Sequence, residues 1–395
     1  MSRSTTNLVL LGSTGSIGVQ ALDVVARLRR AGKEFRVVGL SAHTNHELLA
    51  EQIEAVRPRA VSLATGEGAR WLRERFPRVR VLEGDGGPAE LAALEDVDVV
   101  VNAIVGAAGL AATLAALSRG RTVALANKES LVIGGPLVRA ALERHGGRLI
   151  PVDSEHSALF QCLDAARKGD VRRLILTASG GPFLHLDPAA RASATAEDAL
   201  RHPTWSMGRR VTVDSATLVN KAFEVIEAHV LFDVPYDRIS VVIHPESIVH
   251  SLVEFRDGSI LAQAATHDMR IPIQYALTYP ERVDTDLPRL DVAALGRLEF
   301  RHLEEEQFPA FATVLAAAFA GGSAAAAVNA ADEVLVGRFL HGDIVYGDLA
   351  IGLAVTLDRW RTEVADSGRP LDLSTVESAD RWARSITAGL RFDHR

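Results

Sequence analysis

The sequence predicts an α/β protein in three parts: a doubly wound domain over residues 1–150, a central α+β domain over 151–280, and a C-terminal helical bundle over 304–395, with a linker at 281–303. Three observations predict this. Up to Val152, short apolar runs alternate with amphipathic stretches. Beyond Pro151 further runs follow with few helices between them. From about Glu304 the chain is Ala-rich and helical in its spacing.

The first runs are Asn7–Leu11, Phe35–Leu40, Ala60–Leu63, Val79–Leu82, Val97–Val101, Thr122–Ala126 and Arg148–Val152. Amphipathic stretches such as Val19–Arg30, His46–Val56 and Leu110–Arg119 lie between them. Continuous rather than alternating apolar runs mean strands covered on both faces, hence a parallel sheet with helices on each side. The later runs, Leu174–Thr177, Arg238–Ile243, Ser247–Phe255 and Ser259–Gln263, lack crossover helices and so suggest a largely antiparallel sheet. From Thr278 to Leu303 the chain carries Pro280, Pro288 and scattered charges without a period, which reads as a linker. Two uncharged stretches, Val99–Leu117 and Pro309–Ala331, are dominated by Ala and broken by Gly. The first reads as strand, Gly turn and packed helix. The second reads as two small-residue helices meeting at Gly321-Gly322-Ser323, not as a membrane span.

Composition removes several function classes. The 395 residues carry 43 Lys and Arg against 50 Asp and Glu, a net charge of −7, so there is no electrostatic footprint for nucleic acid. The single Cys162 excludes a disulfide framework. Only Leu8–Leu11 is apolar before Gly12, too short for a signal peptide, so a cytoplasmic protein without a membrane partner is expected. Among the basic residues only Lys33, Lys128, Lys168 and Lys221 are lysines.

The first strand runs directly into Gly12-Ser13-Thr14-Gly15-Ser16-Ile17-Gly18 and then a helix. In such a turn the first Gly permits the bend, the second lets backbone N–H groups approach a phosphate, and the third lets the helix close on the strand. This marks a Rossmann-type dinucleotide site, with the pyrophosphate at the helix N-terminus. An NAD site has Asp or Glu at the end of the second strand to bind the ribose 2′-OH. Here the chain reads Ser41-Ala42-His43-Thr44-Asn45, with donors and no carboxylate to repel a 2′-phosphate, so NADP(H) is favoured. The bland alternative is that these residues cap the helix beginning near Asn45.

A second constellation follows. Asp153 and Glu155 stand two apart at the end of the last N-terminal strand, where a strand end or turn can aim both at one ion. Asn220 and Lys221 open an amphipathic helix, on which Lys221 and Glu224 share a face. Three carboxylates completed by water and substrate oxygens suit an oxygen-preferring ion, Mg²⁺ or Mn²⁺. Two Ser-containing loops, at Ser179 and at Asp214-Ser215-Ala216, join Asn220 and Lys221 as a phosphate cradle. Between them, His202-Pro203-Thr204-Trp205-Ser206-Met207-Gly208 reads as a loop that closes over ligand.

Together these blocks resemble the 1-deoxy-D-xylulose-5-phosphate reductoisomerase family: Leu11–Gly18, Leu125–Leu131, Pro151–His156, Ser179–Phe183, His202–Gly208, Val213–Glu224, Ile243–Ser247 and Asn329–Glu333 occur in order along essentially the whole chain. The resemblance implies an NADPH- and metal-dependent rearrangement and reduction of 1-deoxy-D-xylulose 5-phosphate to 2-C-methyl-D-erythritol 4-phosphate, in non-mevalonate isoprenoid synthesis, by a homodimer. It implies a divalent cation (Mg²⁺ or Mn²⁺, with Co²⁺ also admitted) on Asp153, Glu155 and Glu224. It implies substrate phosphate on Ser179, Ser215, Asn220 and Lys221, with Lys128, Ser154, His202 and Trp205 at the rest of the substrate. The catalytic set it implies is Lys128, Asp153, Glu155, His202 and Glu224. NADPH contacts fall on Thr14, Gly15, Ser16, Ile17, Asn45, Asn127, Glu129 and Gly208. The chain departs from the family pattern at His43-Thr44, where a basic residue is common, and at Asp332, where Asn is common. Another NADP-dependent sugar-phosphate enzyme, or a non-catalytic NADP(H) sensor, explains the Gly-rich turn but has no need for the three carboxylates together.

Overall fold

The seven N-terminal apolar runs form one parallel sheet, as residues apolar on both faces require. The computed structural model describes residues 5–164, 166–184, 186–200, 208–366 and 368–392. It divides into two compact units. The first comprises Met1–Ser130, Val138–Phe160 and Asp268–Arg289, and the second Leu131–Leu137, Gln161–His267 and Leu290–Arg395. In chain order the first part reads β1 (Thr6–Leu11), α1 (Ser16–Arg30), β2 (Phe35–Ala42), α2 (His46–Val56), β3 (Ala60–Leu63), α3 (Gly66–Arg75), β4 (Arg80–Glu83), α4 (Gly87–Ala92), β5 (Val99–Asn102), α5 (Gly109–Leu117), β6 (Thr122–Leu125), α6 (Glu129–His145), β7 (Arg148–Pro151) and α7 (Ser154–Leu163). The sheet order is β4-β3-β2-β1-β5-β6-β7, and all its strand pairs are parallel. The order reverses between β1 and β5, and ligands of doubly wound sheets bind outside the strand C-termini at that point.

Close backbone approach builds this switch point. Gly12 has φ +75°, and a Cβ there would lie 2.5 Å from the carbonyl oxygen of Ala103, just past β5. A Cβ on Gly18 would lie 2.3 Å from the Gly12 carbonyl oxygen and 2.5 Å from the Ser13 Cα. The first turn of α1 therefore rests on the turn itself, as the Gly-x-x-Gly-x-x-Gly spacing predicts.

The later elements are β8 (Val171–Ala178), α8 (Pro188–Ala192), α9 (Ala196–Ala199), α10 (Arg209–Thr217), α11 (Val219–Phe232), β9 (Ile239–Ile243), β10 (Val249–Phe255), β11 (Ile260–Ala264), α12 (Arg270–Thr278), α13 (Val292–Leu295), β12 (Arg301–His302), α14 (Pro309–Ala320), α15 (Ala324–His341), α16 (Tyr346–Glu363) and α17 (Leu373–Ala388). The second sheet runs β11-β10-β8-β9-β12, antiparallel except for the β8–β9 pair. Helices α14 and α15 meet at Gly321 and Gly322, and Trp360 of α16 is fully buried among the C-terminal helices.

Contacts group the chain differently from its sequence texture. Asp268–Arg289 packs with the parallel sheet, because Ile273, Ala276 and Leu277 of α12 enter the same core as Leu8, Leu10, Val24 and Leu28. Arg270 at the start of α12 also bonds Asp23 of α1 at 3.0 Å. The stretch read as a linker, 281–303, contains the one-turn α13 and the edge strand β12, whose Arg301 pairs with Ile243.

Gly18→Ala should destabilise the protein by about 1–3 kcal/mol, because only backbone atoms are available to move. Thermal unfolding reads this as a lower Tm. An unchanged Tm would show that α1 does not sit on the turn.

Candidate active site

The dinucleotide turn is shaped by β2. The Ser41 hydroxyl accepts the Gly12 N–H at 3.0 Å, and the Ser41 carbonyl accepts the Ser13 N–H at 2.8 Å. Gly15 is the N-cap of α1, and Ser16 and Ile17 open its first turn. First-turn N–H groups have no carbonyl within their own helix and so point outward to a ligand. Thr14 joins Ser13 to Gly15 in this turn. Of the residues expected to meet a 2′-phosphate, Ser41 is buried against the turn, and the Asn45 side chain caps α2 by accepting the Leu48 N–H at 3.1 Å. The capping alternative thus holds for Asn45, while His43 and Thr44 are exposed at the end of β2.

Asn127 and Glu129 shape the loop after β5. The buried Asn127 amide donates to the carbonyls of Ile104 at 2.8 Å and Gly106 at 2.9 Å and to Glu129 at 2.8 Å. The other Glu129 oxygen accepts the Gly106 N–H at 3.0 Å. Asn102, at the end of β5, adds side-chain bonds to the Gly109 carbonyl at 2.9 Å and the Thr113 hydroxyl at 2.8 Å, and its amide oxygen accepts the Ile104 N–H. Sequence reading missed Asn102. A polar residue ending an apolar strand was the available signal.

Lys128 and Asp153 follow the neighbouring strands β6 and β7 and so meet at the C-terminal edge of the sheet. Lys128 Nζ lies 2.7 Å from Asp153 Oδ2, and only 9% of Asp153 is exposed. Burial raises the Asp153 carboxyl, but the Lys128 charge and the nearby His156 outweigh it and hold the group well below the usual carboxylate range. The expected strand-end or turn setting is corrected here: Ser154 and Glu155 lie in the first turn of α7, directly after Asp153. The Ser154 hydroxyl donates to Glu155, which stays half-buried.

The second unit holds the remaining set. Ser179 follows β8 in a loop whose Gly180 and Gly181 have φ +85° and +69°. A Cβ on Gly181 would lie 2.7 Å from the Ser215 carbonyl oxygen, so this loop lies directly against Ser215. Ser215 was expected in a loop, but it sits in α10, because Arg209–Thr217 offers an unbroken helical stretch whose buried face is Thr212, Val213 and Ala216. Leu218, with φ +57°, turns the chain from α10 into α11. On α11 the Asn220 amide donates to Glu224 Oε1 at 2.6 Å, and the Lys221 ammonium pairs with Glu224 Oε2. Lys221 is 4% exposed and Glu224 1%, so this is not a solvated surface pair. Gly208 is the exposed N-cap of α10, while His202 and Trp205 lie outside the described residues.

Because Asp153 is held ionised in the fold, it stabilises the protein above its unfolded pKa, and that contribution fades as pH falls through the lowered folded value. Lys128→Met should therefore lower stability by roughly 1–3 kcal/mol. The deficit should be largest at about pH 8 and shrink as pH falls, because without the Lys128 charge burial raises the Asp153 carboxyl and a proton can neutralise it. A deficit that grew as pH fell would overturn the ion-pair reading.

Comparison with known proteins gives the family. The family model for 1-deoxy-D-xylulose 5-phosphate reductoisomerase matches residues 8–135, and its two C-terminal domain models match 149–232 and 265–386. The reductoisomerase of a Nostoc species is 46% identical over 382 residues, covering 96% of this chain and 94% of its own. That of Heliobacterium modesticaldum is 48% identical over 383 residues, covering 95% of each. The Zymomonas mobilis enzyme solved with NADPH has a TM-score of 0.89 at 38% identity and 98% coverage of both chains. A reductoisomerase solved with NADPH, fosmidomycin and magnesium has a TM-score of 0.91 at 38% identity and 97% coverage of both. The chain therefore belongs to the 1-deoxy-D-xylulose 5-phosphate reductoisomerase family.

Proposed function

We propose that the protein converts 1-deoxy-D-xylulose 5-phosphate and NADPH to 2-C-methyl-D-erythritol 4-phosphate with a divalent cation, Mg²⁺, Mn²⁺ or Co²⁺. The observation that carries this reading is the buried carboxylate Asp153, 9% exposed and 2.7 Å from the Lys128 ammonium at the C-terminal edge of the sheet. A simple nicotinamide dehydrogenase has no need for the three carboxylates Asp153, Glu155 and Glu224 together. Asp153, Glu155 and Glu224 offer only hard carboxylate oxygens, the donor type that Mg²⁺ and Mn²⁺ prefer. When bound, the cation polarises the substrate carbonyl and NADPH supplies hydride.

The chain's own residues do the rest. The α1 N-terminus with Thr14, Gly15, Ser16 and Ile17 holds the pyrophosphate, and Asn127 and Glu129 set the loop at the nicotinamide side. Asn45 and Gly208 are the remaining proposed NADPH contacts. Ser179, Ser215, Asn220 and Lys221 take the substrate phosphate, a remote group whose binding energy orders the reacting end. Lys128 and Ser154 orient the substrate hydroxyls, and the Lys128 charge offsets negative charge that develops on them. His202 and Trp205 cover the substrate and exclude water.

We place the reaction in the cytoplasm, where its phosphorylated substrate and nicotinamide cofactor are freely available. No helix among the described residues is long and apolar enough to cross a membrane. We also propose a homodimer, because β11 is an edge strand whose Ile260 and Leu261 are 50% and 46% exposed, an apolar edge that a second copy would cover. Light scattering giving the mass of one chain would count against it.

The test is NADPH consumption with 1-deoxy-D-xylulose 5-phosphate, with and without Mg²⁺, and identification of the branched product. Turnover should require both substrate and metal. Glu224→Gln should lower kcat by at least about a thousandfold while NADPH binding stays near that of the parent. Metal-independent turnover, or full activity of Glu224→Gln at saturating metal, would overturn the assignment.

A further inference from the structure

Gln52 lies on α2, outside every motif of the site, and is 6% exposed. Its side chain reaches the turn between β1 and α1. Its amide nitrogen donates to the Ser13 carbonyl at 2.8 Å, and its amide oxygen accepts from the Ser13 hydroxyl at 2.6 Å. The orientation of the amide is fixed by chemistry, because a carbonyl oxygen can only accept and so must face the nitrogen. The Ser13 N–H is already donated to Ser41, so all three polar groups of this fully buried residue are committed. Two come from α2 and one from β2.

Ser13 lies between Gly12, whose positive φ makes the bend, and Gly15, which caps α1. A residue beside a Gly in the left-handed region has little steric guidance of its own. The direction in which the following N–H groups point then depends on what holds Ser13. We infer that Gln52 is a positioning residue for the dinucleotide turn: its paired bonds to Ser13 set the backbone of Thr14 to Ile17 so that the N–H groups of Thr14, Ser16 and Ile17 converge on the cofactor pyrophosphate, while that of Gly15 closes the turn on the Gly12 carbonyl. The same helix is capped by Asn45. One element thus joins the end of β2, where a 2′-phosphate would lie, to the phosphate turn. This rests on the NADPH reading above.

Two substitutions separate positioning from bulk stability. Gln52→Met keeps the volume and removes both bonds. Gln52→Glu keeps the shape. In its protonated form it reproduces one donor and one acceptor, but when ionised it sets a second acceptor against the Ser13 carbonyl. NADPH affinity is read by cofactor fluorescence, and kcat and KM by turnover.

The expected result for Gln52→Met is an NADPH Kd raised about tenfold, the scale of losing a buried hydrogen-bond pair, with kcat at saturating NADPH and KM for 1-deoxy-D-xylulose 5-phosphate within about twofold of the parent. For Gln52→Glu, the ratio of its Kd to that of the parent should fall as pH is lowered from about 8 to 6, whereas the Gln52→Met ratio stays flat. Ser13→Ala, which removes only the hydroxyl, should raise Kd about threefold and serves if Gln52→Met does not fold. A Kd for Gln52→Met within twofold of the parent overturns the inference, and so does an equal loss in kcat or substrate KM. If the unaltered protein does not bind NADPH, the cofactor reading itself fails.

Discussion

An ionised carboxylate placed out of water must be compensated, and both units of this protein are arranged around that requirement. In the first unit Lys128 pairs with Asp153 at 2.7 Å, and in the second Lys221 pairs with Glu224. Desolvation costs several kcal/mol per ion, so each pair holds only because an opposite charge and further hydrogen bonds accompany it. In the first unit the His156 ring stands beside the pair, its Nδ1 3.8 Å from Asp153 Oδ2, and in the second the Asn220 amide donates to Glu224. The Lys128 pair keeps Asp153 charged at neutral pH, the form in which it can ligate a cation. Two of the chain's four lysines are used this way in a protein that otherwise relies on arginine. An ammonium is a compact point charge, whereas a guanidinium is a wider planar fork.

The other organising constraint is the absence of side-chain volume at the dinucleotide turn. Gly12 and Gly18 bring strand, turn and helix to distances no Cβ would allow, so the N-terminus of α1 sits at the sheet's switch point. Polar residues then fix what the glycines leave free: Ser41 and Gln52 on one side, Asn102, Asn127 and Glu129 on the other. The flexible residues and the residues that restrain them come from different elements, which lets the turn be both sharp and well defined.

Much of this was legible in the sequence, for identifiable reasons. Continuous apolar runs fall on all seven parallel strands because burial on both faces leaves a strong local signal. Gly321-Gly322 separates two helices because a double Gly in an Ala-rich stretch has few other uses. What escaped depends on distant partners. Ser215 reads as a loop residue beside Asp214 and Thr217, yet tertiary packing of Val213 and Ala216 makes a helix of it. The last turns of α12 belong to the first core although the neighbouring chain belongs to the second, because Ile273, Ala276 and Leu277 find their partners far away in sequence. The roles of Gln52 and Asn102 lie in bonds to backbone atoms and hydroxyls of other elements, which no spacing rule encodes. Asn45 has a local role that its sequence position also suggested, since its side-chain oxygen caps α2 by accepting the Leu48 N–H.

Asp153, held charged beside Lys128, and Glu224 are the proposed receptors of a divalent cation. Mn²⁺ binding followed by electron paramagnetic resonance tests this without relying on turnover. The parent should bind Mn²⁺ at one site, and Asp153→Asn and Glu224→Gln should each weaken that site by at least about tenfold. Mn²⁺ affinity unchanged in both variants would contradict it.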